Sequence, residues 1–352
     1  MIRGKFTSTV AAFALLSASI PASPTTPLGL TLFGQAHLGL SVIDLNFAKG
    51  PPYYLKGATG PLTEARSTPA TAFDANNNLV TCAAFVPCVV GGKLWVYEAR
   101  TNLFLNSNAP ATQTITVVSG SVYTVSFYGT GTLTLSGAAT QTMTGSAYPA
   151  QTVYSFVASS TSLTATVTVL GGMQYPQVEL NPSATTAAQA FPTPPIQTGA
   201  TSVARNASQV SLATQSCANP SILAIGTPSA PIAYVPDQVL AEIDDGTINN
   251  LVSVKKLGIT GAAVSDELIS GVFTRASSGA NWTTGTSAKL SQRTTSTTNT
   301  AVFNNSSTGS SSPSGVLTLT HLLIGQSTYA LNYWNGGISR VALACGSSLT
   351  GY

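Results

Sequence analysis

An alternation of apolar and hydroxyl residues between residues 108 and 180 most strongly constrains the fold of this chain. Val, Tyr, Phe and Leu alternate with Thr and Ser in short segments, and small turn residues separate these segments at a spacing of about 8 to 12 residues. A period of two places successive side chains on opposite faces of a strand, so one face is buried and the other is a hydroxyl surface. The pattern predicts an antiparallel β-sandwich.

The composition supports strands throughout the chain. Only 7% of the 352 residues are charged, against about 25% in typical soluble proteins. Helical bundles need charged residues on their exposed faces, so this composition favours β-structure with hydroxyl-covered surfaces. The net charge is only +3, and no basic run is interleaved with aromatic residues, so we predict no nucleic-acid partner.

Residues 1–25 form an apolar N-terminal segment. Arg3 and Lys5 precede the apolar residues 10–16, and small residues follow them. This layout is typical of a secretory signal peptide, but a structural protein could also keep such a segment as a packed anchor. We interpret it as an anchor, with a cleaved signal peptide as the alternative.

The cysteines and histidines do not have the spacing of a metal site. There are four cysteines, without a Cys-x-x-Cys pair, and both histidines are far from them in sequence. We therefore predict no metal and no cofactor. Disulfides and buried free thiols both remain open, with three possible pairings. The residues concerned are Cys82, Cys88, Cys217, Cys345, His37 and His321.

Glu98 and Arg100 form a compact pair of opposite charges beside aromatic residues. On a strand, residues two apart point to the same face, so Glu98 and Arg100 could meet, and Trp95 and Tyr97 could pack together. We interpret the segment as a junction strand with a structural ion pair and not as a catalytic site.

Four short sequence blocks follow one another between residues 44 and 103. The blocks are DLNF at residues 44–47, ARSTPATAF at 65–73, NNNLV at 76–80 and EARTNL at 98–103. In this order they resemble the blocks of tailed-bacteriophage and prophage structural proteins of the head-spike, fibre or tail type. Residues 86–90 depart from the family pattern, which has an Arg-aromatic-Asp run there. The resemblance implies that the protein is located in the virion and that its partners are capsid, portal or tail proteins. It also implies a homo-oligomer such as a trimer.

The patterning and the resemblance together predict an all-β chain in which each part after residue 25 has its own role. One of these parts is a linker rich in proline and threonine. Because prolines cannot join a sheet interior, few contacts should cross this linker. The predicted parts are an attachment region at residues 26–107, a small antiparallel β-sandwich similar to carbohydrate-binding modules at 108–182, a Pro/Thr-rich linker at 183–213, and a concanavalin-like (laminin-G-like) jelly roll at 214–352. In jelly rolls of the resembled type the first and last strands lie side by side, which implies a disulfide between Cys217 and Cys345.

A glycan-cleaving enzyme of this fold would need two carboxylates at the sugar bond. In glycan-cleaving enzymes of the glucanase type the sequence pattern is Glu-x-Asp-x-x-Glu. Here Glu242 and Asp244 are followed by Thr247 at the position of the second glutamate. Asp244, Asp245 and Gly246 instead predict a hairpin turn. We therefore predict that the protein is not an enzyme.

Sugar binding needs flat aromatic faces with amide and hydroxyl groups nearby. The sequence places such residues in two predicted loops of the jelly roll, namely Trp282, Tyr329, Asn332, Tyr333 and Trp334. We interpret them as the contact site for host cell-surface polysaccharide. The alternatives are a polysaccharide depolymerase and a decoration protein without a ligand.

Overall fold

The computed structural model describes residues 41–295, 297–305, 307–312, 317–328 and 332–346. The fold class is all-β, as predicted. Apart from one short 3-10 helix, Ala187–Gln189, every element of these residues is a strand. No helix among them has the length and apolar character needed to cross a membrane. The predicted apolar segment at residues 1–25 lies outside the described residues.

The strands follow the chain in four stretches. The first eight are β1 (Ser41–Asn46), β2 (Tyr54–Lys56), β3 (Thr63–Glu64), β4 (Ala70–Phe73), β5 (Leu79–Cys82), β6 (Val89–Val90), β7 (Lys93–Val96) and β8 (Arg100–Asn102). The next eight are β9 (Gln113–Thr116), β10 (Val122–Tyr128), β11 (Gly131–Gly137), β12 (Gln141–Gly145), β13 (Gln151–Val157), β14 (Ser162–Val169), β15 (Gln174–Leu180) and β16 (Val203–Arg205). Six more are β17 (Val210–Cys217), β18 (Pro220–Pro228), β19 (Gln238–Asp244), β20 (Leu251–Lys256), β21 (Ala262–Ile269) and β22 (Val272–Asn281). The last are β23 (Ala288–Thr294), β24 (Asn299–Phe303), β25 (Ser307–Ser311), β26 (Leu319–Ile324) and β27 (Gly336–Cys345).

Two large sheets form the jelly roll. One sheet has the order β2-β1-β27-β18-β23-β24-β25, with β7 also paired to β27 and β6 paired to β7. The other has the order β22-β21-β20-β19-β26-β17-β3. The neighbouring strands are antiparallel, and their inward-facing residues make one large apolar core that includes Leu45, Leu94, Ile243 and Trp334. The predicted C-terminal jelly roll is therefore present, but it takes strands from both ends of the described chain.

The described part of residues 26–107 is not a separate attachment region, which corrects the predicted domain boundary. Strand β1 lies beside β27 with Ile43 opposite Leu343, and Ile43 and Leu45 are buried in the jelly-roll core. The buried guanidinium of Arg340 donates two hydrogen bonds of 2.8 Å to the Asp44 carboxylate. Because β1 has an apolar face to cover, it is stable only as a strand of the larger sheet.

The small β-sandwich has the predicted position. Its sheets have the orders β13-β10-β15-β8-β16 and β12-β11-β14-β9. Val125, Phe127, Leu133 and Leu163 lie in its core. Strands β8 and β16, which flank the predicted range, complete one sheet. Strands β4 and β5 form a separate hairpin, hereafter the β4–β5 hairpin.

The predicted linker at residues 183–213 is not a free spacer. Residues 191–197, hereafter the strap, lie across the small sandwich. The Gln177 amide donates to the Thr193 carbonyl at 3.1 Å and accepts from the Ile196 N–H at 2.6 Å, while Asn102 donates to the Ile196 carbonyl at 2.8 Å. Prolines in the strap cannot join a ladder, but side chains of the small sandwich bind its other backbone groups, including the Glu179 carboxylate, which accepts from the Thr193 N–H at 3.0 Å. Many contacts therefore cross this segment, contrary to the prediction.

Two disulfides close the fold. Cys217 is bonded to Cys345, as the family resemblance implies, with a Cα–Cα distance of 5.1 Å. The two cysteines belong to β17 and β27, which lie in different sheets of the jelly roll, so the bond joins the sheets. Cys82 and Cys88 form the second disulfide, at a Cα–Cα distance of 5.3 Å.

Candidate functional site

Trp334 and Trp282 do not lie in exposed loops, which corrects their predicted role as sugar-stacking residues. Both side chains have 0% exposure, and their rings meet edge to face with centroids 5.1 Å apart. The Trp334 indole N–H donates to the Gly337 carbonyl at 3.3 Å. The large apolar rings fill the space between the two sheets, so neither ring can reach a sugar without unfolding.

The other predicted contact residues do not assemble into an aromatic platform in the described structure. Asn332 and Tyr333 are half-buried, and the Tyr333 carbonyl accepts a 3.4 Å hydrogen bond from the Asn335 amide. Tyr329 lies outside the described residues. The predicted glycan site at this loop therefore lacks its central ring, because Trp334 is buried in the core.

A cleft with aromatic walls lies where the jelly roll, the β4–β5 hairpin, the small sandwich and the strap meet. Its volume is about 260 Å³. Each of the four elements contributes side chains to its wall. The lining residues are Ala72, Phe73, Trp95, Tyr97, Tyr128, Gln151, Pro192, Thr193, Pro194 and Ser229.

Strand β7 positions one wall of this cleft. Its period-two pattern buries Leu94 and Val96 in the jelly-roll core and turns Trp95 to the opposite face, together with Tyr97 just after the strand. The Trp95 and Tyr97 rings are parallel within 6°, with centroids 6.1 Å apart, as the sequence predicts. The Trp95 indole N–H donates to the Val90 carbonyl at 3.0 Å, which fixes the ring.

Phe73 and Tyr128 form the facing wall. Phe73 ends strand β4, and its ring lies 5.0 Å from that of Tyr128 on β10. After Phe73 the chain turns at Asp74, whose carboxylate accepts 2.8 Å hydrogen bonds from the N–H groups of Asn76 and Asn78. This Asx turn fixes the end of the hairpin, so the position of Phe73 is set before any ligand binds.

Gln151 supplies the amide of the cleft. It lies directly opposite Tyr128 in the β10–β13 pair, so the two side chains share one face of the sheet. The Gln151 Nε2 atom is buried and has no hydrogen-bond partner within the described part of the chain. An unmet buried donor costs about 1–3 kcal/mol, and because this atom has almost no accessible surface it does not itself face a ligand in the cleft.

The polar groups of the cleft are neutral hydrogen-bonding groups. Burial raises the pKa of Tyr97 to about 12 and also raises the pKa of Tyr128, so both phenols stay protonated at neutral pH. The Tyr97 hydroxyl lies 3.5 Å from Ser229 Oγ. None of the lining residues is an aspartate, a glutamate or a histidine. The cleft can therefore bind and orient a neutral polar ligand, but its lining does not provide an acid and nucleophile pair.

The Glu98–Arg100 pair lies at the junction between the small sandwich and the jelly roll. The Arg100 guanidinium donates to Glu98 Oε1 at 2.5 Å and to the Leu180 carbonyl at 2.7 Å. Glu98 Oε2 accepts a 2.7 Å hydrogen bond from the Tyr234 hydroxyl, and the Glu98 N–H donates to Asn335 Oδ1 at 2.9 Å. These buried contacts agree with the predicted structural ion pair on a junction strand.

The Glu242 and Asp244 carboxylates are held in a closed network on β19. The Thr328 hydroxyl donates to Glu242 Oε1 at 2.5 Å and lies 2.9 Å from Asp244 Oδ2. The Gly246 N–H donates to Asp244 Oδ1 at 2.7 Å, in the predicted turn. Burial raises the pKa of both carboxyl groups, and each residue is only 1% exposed. Within the described residues, no group of three or more potential ligands could hold a metal ion.

The sequence predicts the packing of Trp95 and Tyr97 on a junction strand but not the cleft that they line. Trp95 and Tyr97 were expected to pack, and they do, but their role as a wall of a cleft depends on Phe73, Tyr128 and Gln151. The outward face of β7 and the aromatic end of the ARSTPATAF block were the available signals. Nothing local in the sequence indicates that these segments converge.

Comparisons with known proteins give similarity of shape only. No family model matches the chain, and no curated protein matches it. Among solved structures, domain 4 of AbnA, a GH43 extracellular arabinanase from Geobacillus stearothermophilus in complex with arabinotriose, is 13% identical with a TM-score of 0.34, covering 40% of this chain and 68% of that one. The CBM40 of the Ruminococcus gnavus IT-sialidase, bound to α2,3-sialyllactose, is 9% identical with a TM-score of 0.29, covering 36% and 75%. Domains LG4-5 of the mouse laminin α1 chain are 9% identical with a TM-score of 0.27, covering 69% and 88%.

Proposed function

We propose that this chain is a bacteriophage virion structural protein, of the head-spike, fibre or tail type, that binds host cell-surface glycan in its aromatic cleft without cleaving it. The virion role rests on the four ordered sequence blocks. The binding role rests on one observation, the uncharged cleft walled by Phe73, Trp95, Tyr97 and Tyr128. Capsid, portal or tail proteins would hold the chain in the particle.

The chemistry of the cleft suits a sugar. The C–H face of a sugar ring is apolar and packs on flat aromatic rings, while its hydroxyls need hydrogen-bonding partners at the edge. Here the aromatic walls supply the faces, and Tyr97, Ser229 and Gln151 supply polar groups. Each ring is fixed by strand pairing, by the Asx turn or by a hydrogen bond, so little conformational entropy is lost on binding.

Binding without hydrolysis is supported by the distribution of carboxylates. Glycoside hydrolysis requires two carboxyl groups that flank the scissile bond. The cleft lining has no carboxylate, and Glu242 and Asp244 are occupied by hydrogen bonds elsewhere. We therefore expect incubation of the full chain with host polysaccharide to release no new reducing ends.

Replacing Phe73 with alanine should weaken retention on host polysaccharide. Loss of one aromatic contact costs about 0.5–1.5 kcal/mol, which is a decrease in affinity of about two- to twelvefold. Retention can be measured by affinity electrophoresis of the purified chain. Phe273→Ala is the matched control, because Phe273 is 53% exposed on β22 and does not line the cleft. Equal retention of Phe73→Ala, Phe273→Ala and wild type would rule out the cleft as the binding site.

The virion role has a separate test. Antibodies raised against the purified chain should label intact particles, and they should reduce particle adsorption to the host, because many copies amplify a weak site. Particles that lack the chain in mass spectrometry and are not labelled would contradict the virion role, whatever the outcome of the retention assay.

A further inference from the structure

We infer that the cleft continues into a second sugar subsite, so that the protein binds several consecutive units of one glycan chain. This inference rests on the proposed function, because it extends the same site. It is carried by Tyr148 and Tyr175, hereafter the rim, two half-buried residues that lie beside the cleft but do not line it.

Tyr128 joins the rim to the cleft. It lines the cleft, and its ring centroid lies 6.3 Å from those of both Tyr148 and Tyr175. Phe73, on the same wall of the cleft, has its ring centroid 6.4 Å from that of Tyr175. These are the spacings of aromatic rings in contact. The aromatic surface is therefore continuous, and a sugar chain that leaves the cleft beside this wall meets further flat rings.

A β-bulge positions Tyr175 on the rim. The register of β15 against β10 shifts between Ser126 and Tyr128, where β15 has one residue more than β10. Tyr175 stands in this bulge with a φ of 52°, a left-handed conformation that is unfavourable for a bulky side chain. Bulges re-aim side chains beside functional sites, and strained residues cluster there. The Asn102 amide fixes the bulge, because it donates to the Pro176 carbonyl at 3.2 Å.

The turn of the β4–β5 hairpin adds amide groups beside the rim. The Tyr148 hydroxyl donates to the Asn77 carbonyl, so this turn lies against the rim. Asn76 and Asn77 are exposed there, and a side-chain amide can both donate to and accept from the hydroxyls of a sugar. Flat rings for the C–H faces and amides for the hydroxyls are therefore adjacent, as a neutral sugar unit requires.

The size of the cleft makes such an extension necessary for a polymer. Its volume is about 260 Å³, which is smaller than the roughly 300–1,000 Å³ of pockets for drug-sized molecules. Most of a glycan chain must therefore lie outside the cleft. The rim is held by ring packing before a ligand arrives, so a chain that lies across it orders few side chains on binding.

The test is titration calorimetry of the full chain with a disaccharide fraction and a tetrasaccharide fraction, both prepared by partial hydrolysis of host polysaccharide. We expect the tetrasaccharide to bind about tenfold more tightly, because its additional units reach the rim. Equal affinity for the two fractions would overturn this inference and leave the proposed glycan binding intact. If neither fraction binds, this inference fails, and polysaccharide retention decides whether the proposed function fails with it.

Tyr175→Ala separates the rim contact from the statistical advantage of a longer chain, whose units can each enter the cleft. It should weaken tetrasaccharide binding by about two- to twelvefold and disaccharide binding by less. Tyr148→Ala, which removes the other ring of the rim, should have the same effect, and it keeps the test decisive if Tyr175→Ala does not fold.

Tyr154→Ala is the matched control. Tyr154 is also half-buried in the small sandwich, and its ring stacks on that of Phe156 with centroids 5.8 Å apart, but it does not line the cleft and is not part of the rim. It should bind the tetrasaccharide as wild type does. If the folded rim variants bind the tetrasaccharide as tightly as wild type, or no less tightly than Tyr154→Ala, the second subsite is ruled out.

Discussion

Replacing Trp334 with alanine is expected to destabilise the protein by about 3–5 kcal/mol, the range for a buried tryptophan cut back to alanine. The Trp334 ring has 0% exposure and packs against Trp282 between the sheets. The fit is close, since a β-carbon added at Gly226 would lie 2.7 Å from Trp334 Cζ2. A cavity of this size cannot collapse without moving both sheets, so most of the lost contact energy should appear in the free energy of unfolding.

Equilibrium urea unfolding measures this change, with Phe273→Ala as a control that removes an exposed ring and should shift stability by less than about 1 kcal/mol. The folded fraction of Trp334→Ala should bind glycan as wild type does, because Trp334 does not line the cleft. If Trp334→Ala were as stable as wild type but no longer bound glycan, Trp334 would be part of the loop site predicted from the sequence. That result would contradict its buried position in the structure.

The second large effect concerns Glu267. This residue lies on β21 directly opposite Val252, a core residue of β20, so its side chain faces the interior of the jelly roll. Its exposure is 0%, and burial raises its pKa to about 7, although the hydroxyl of Thr274, directly opposite on β22, lowers it in part. In the unfolded chain a glutamate has a pKa of about 4.3.

The native state therefore keeps the Glu267 proton between about pH 4.3 and pH 7, where the unfolded chain has released it. The stability from this group is complete below about pH 4.3 and is lost as pH rises to about 7, with a total change of about 4 kcal/mol. Glu267→Gln cannot ionise, so it should exceed wild type in stability at pH 8 by up to about 4 kcal/mol and match it near pH 4.5.

Urea unfolding of both proteins from pH 4.5 to pH 8 checks this expectation. Burial also raises the pKa of Glu179, Glu242 and Asp244. These groups make both proteins more stable at low pH, so the difference between the two stability curves reports Glu267 alone. Parallel curves at all pH values would show that Glu267 finds a partner or solvent in the native protein.

The individual strands could be predicted from the sequence where apolar and hydroxyl residues alternate. Alternation predicted the strand Val122–Tyr128 and most of its neighbours in the small sandwich, because a period of two is a local property of each strand and does not depend on which strand it pairs with. Their pairing was not local, since β10 lies between β13 and β15. The apolar residues between 267 and 273 favour one continuous strand there. The structure instead turns there at Ser270 and Gly271, both with positive φ.

The long-range arrangement could not be predicted in this way. Ser41 pairs with Cys345, and periodicity carries no information about a partner that distant, so residues 26–107 looked independent. The proline content of the strap predicts a linker because prolines are poor strand formers, but side chains on other strands bind it, among them Asn102, which is 94 residues from Ile196. The cleft could not be predicted for the same reason, since Phe73, Trp95 and Tyr128 lie on strands that are distant in sequence.

The most direct test of glycan binding in the cleft uses the three tryptophans of the chain. Trp282 and Trp334 have 0% exposure, whereas Trp95 is half-buried and lines the cleft, so acrylamide should quench chiefly Trp95. Saturating host polysaccharide should reduce this quenching and shift the emission to shorter wavelength, and Trp95→Phe should show neither effect. Quenching that stays unchanged at saturation, or a sugar effect of equal size in Trp95→Phe, would contradict binding in the cleft.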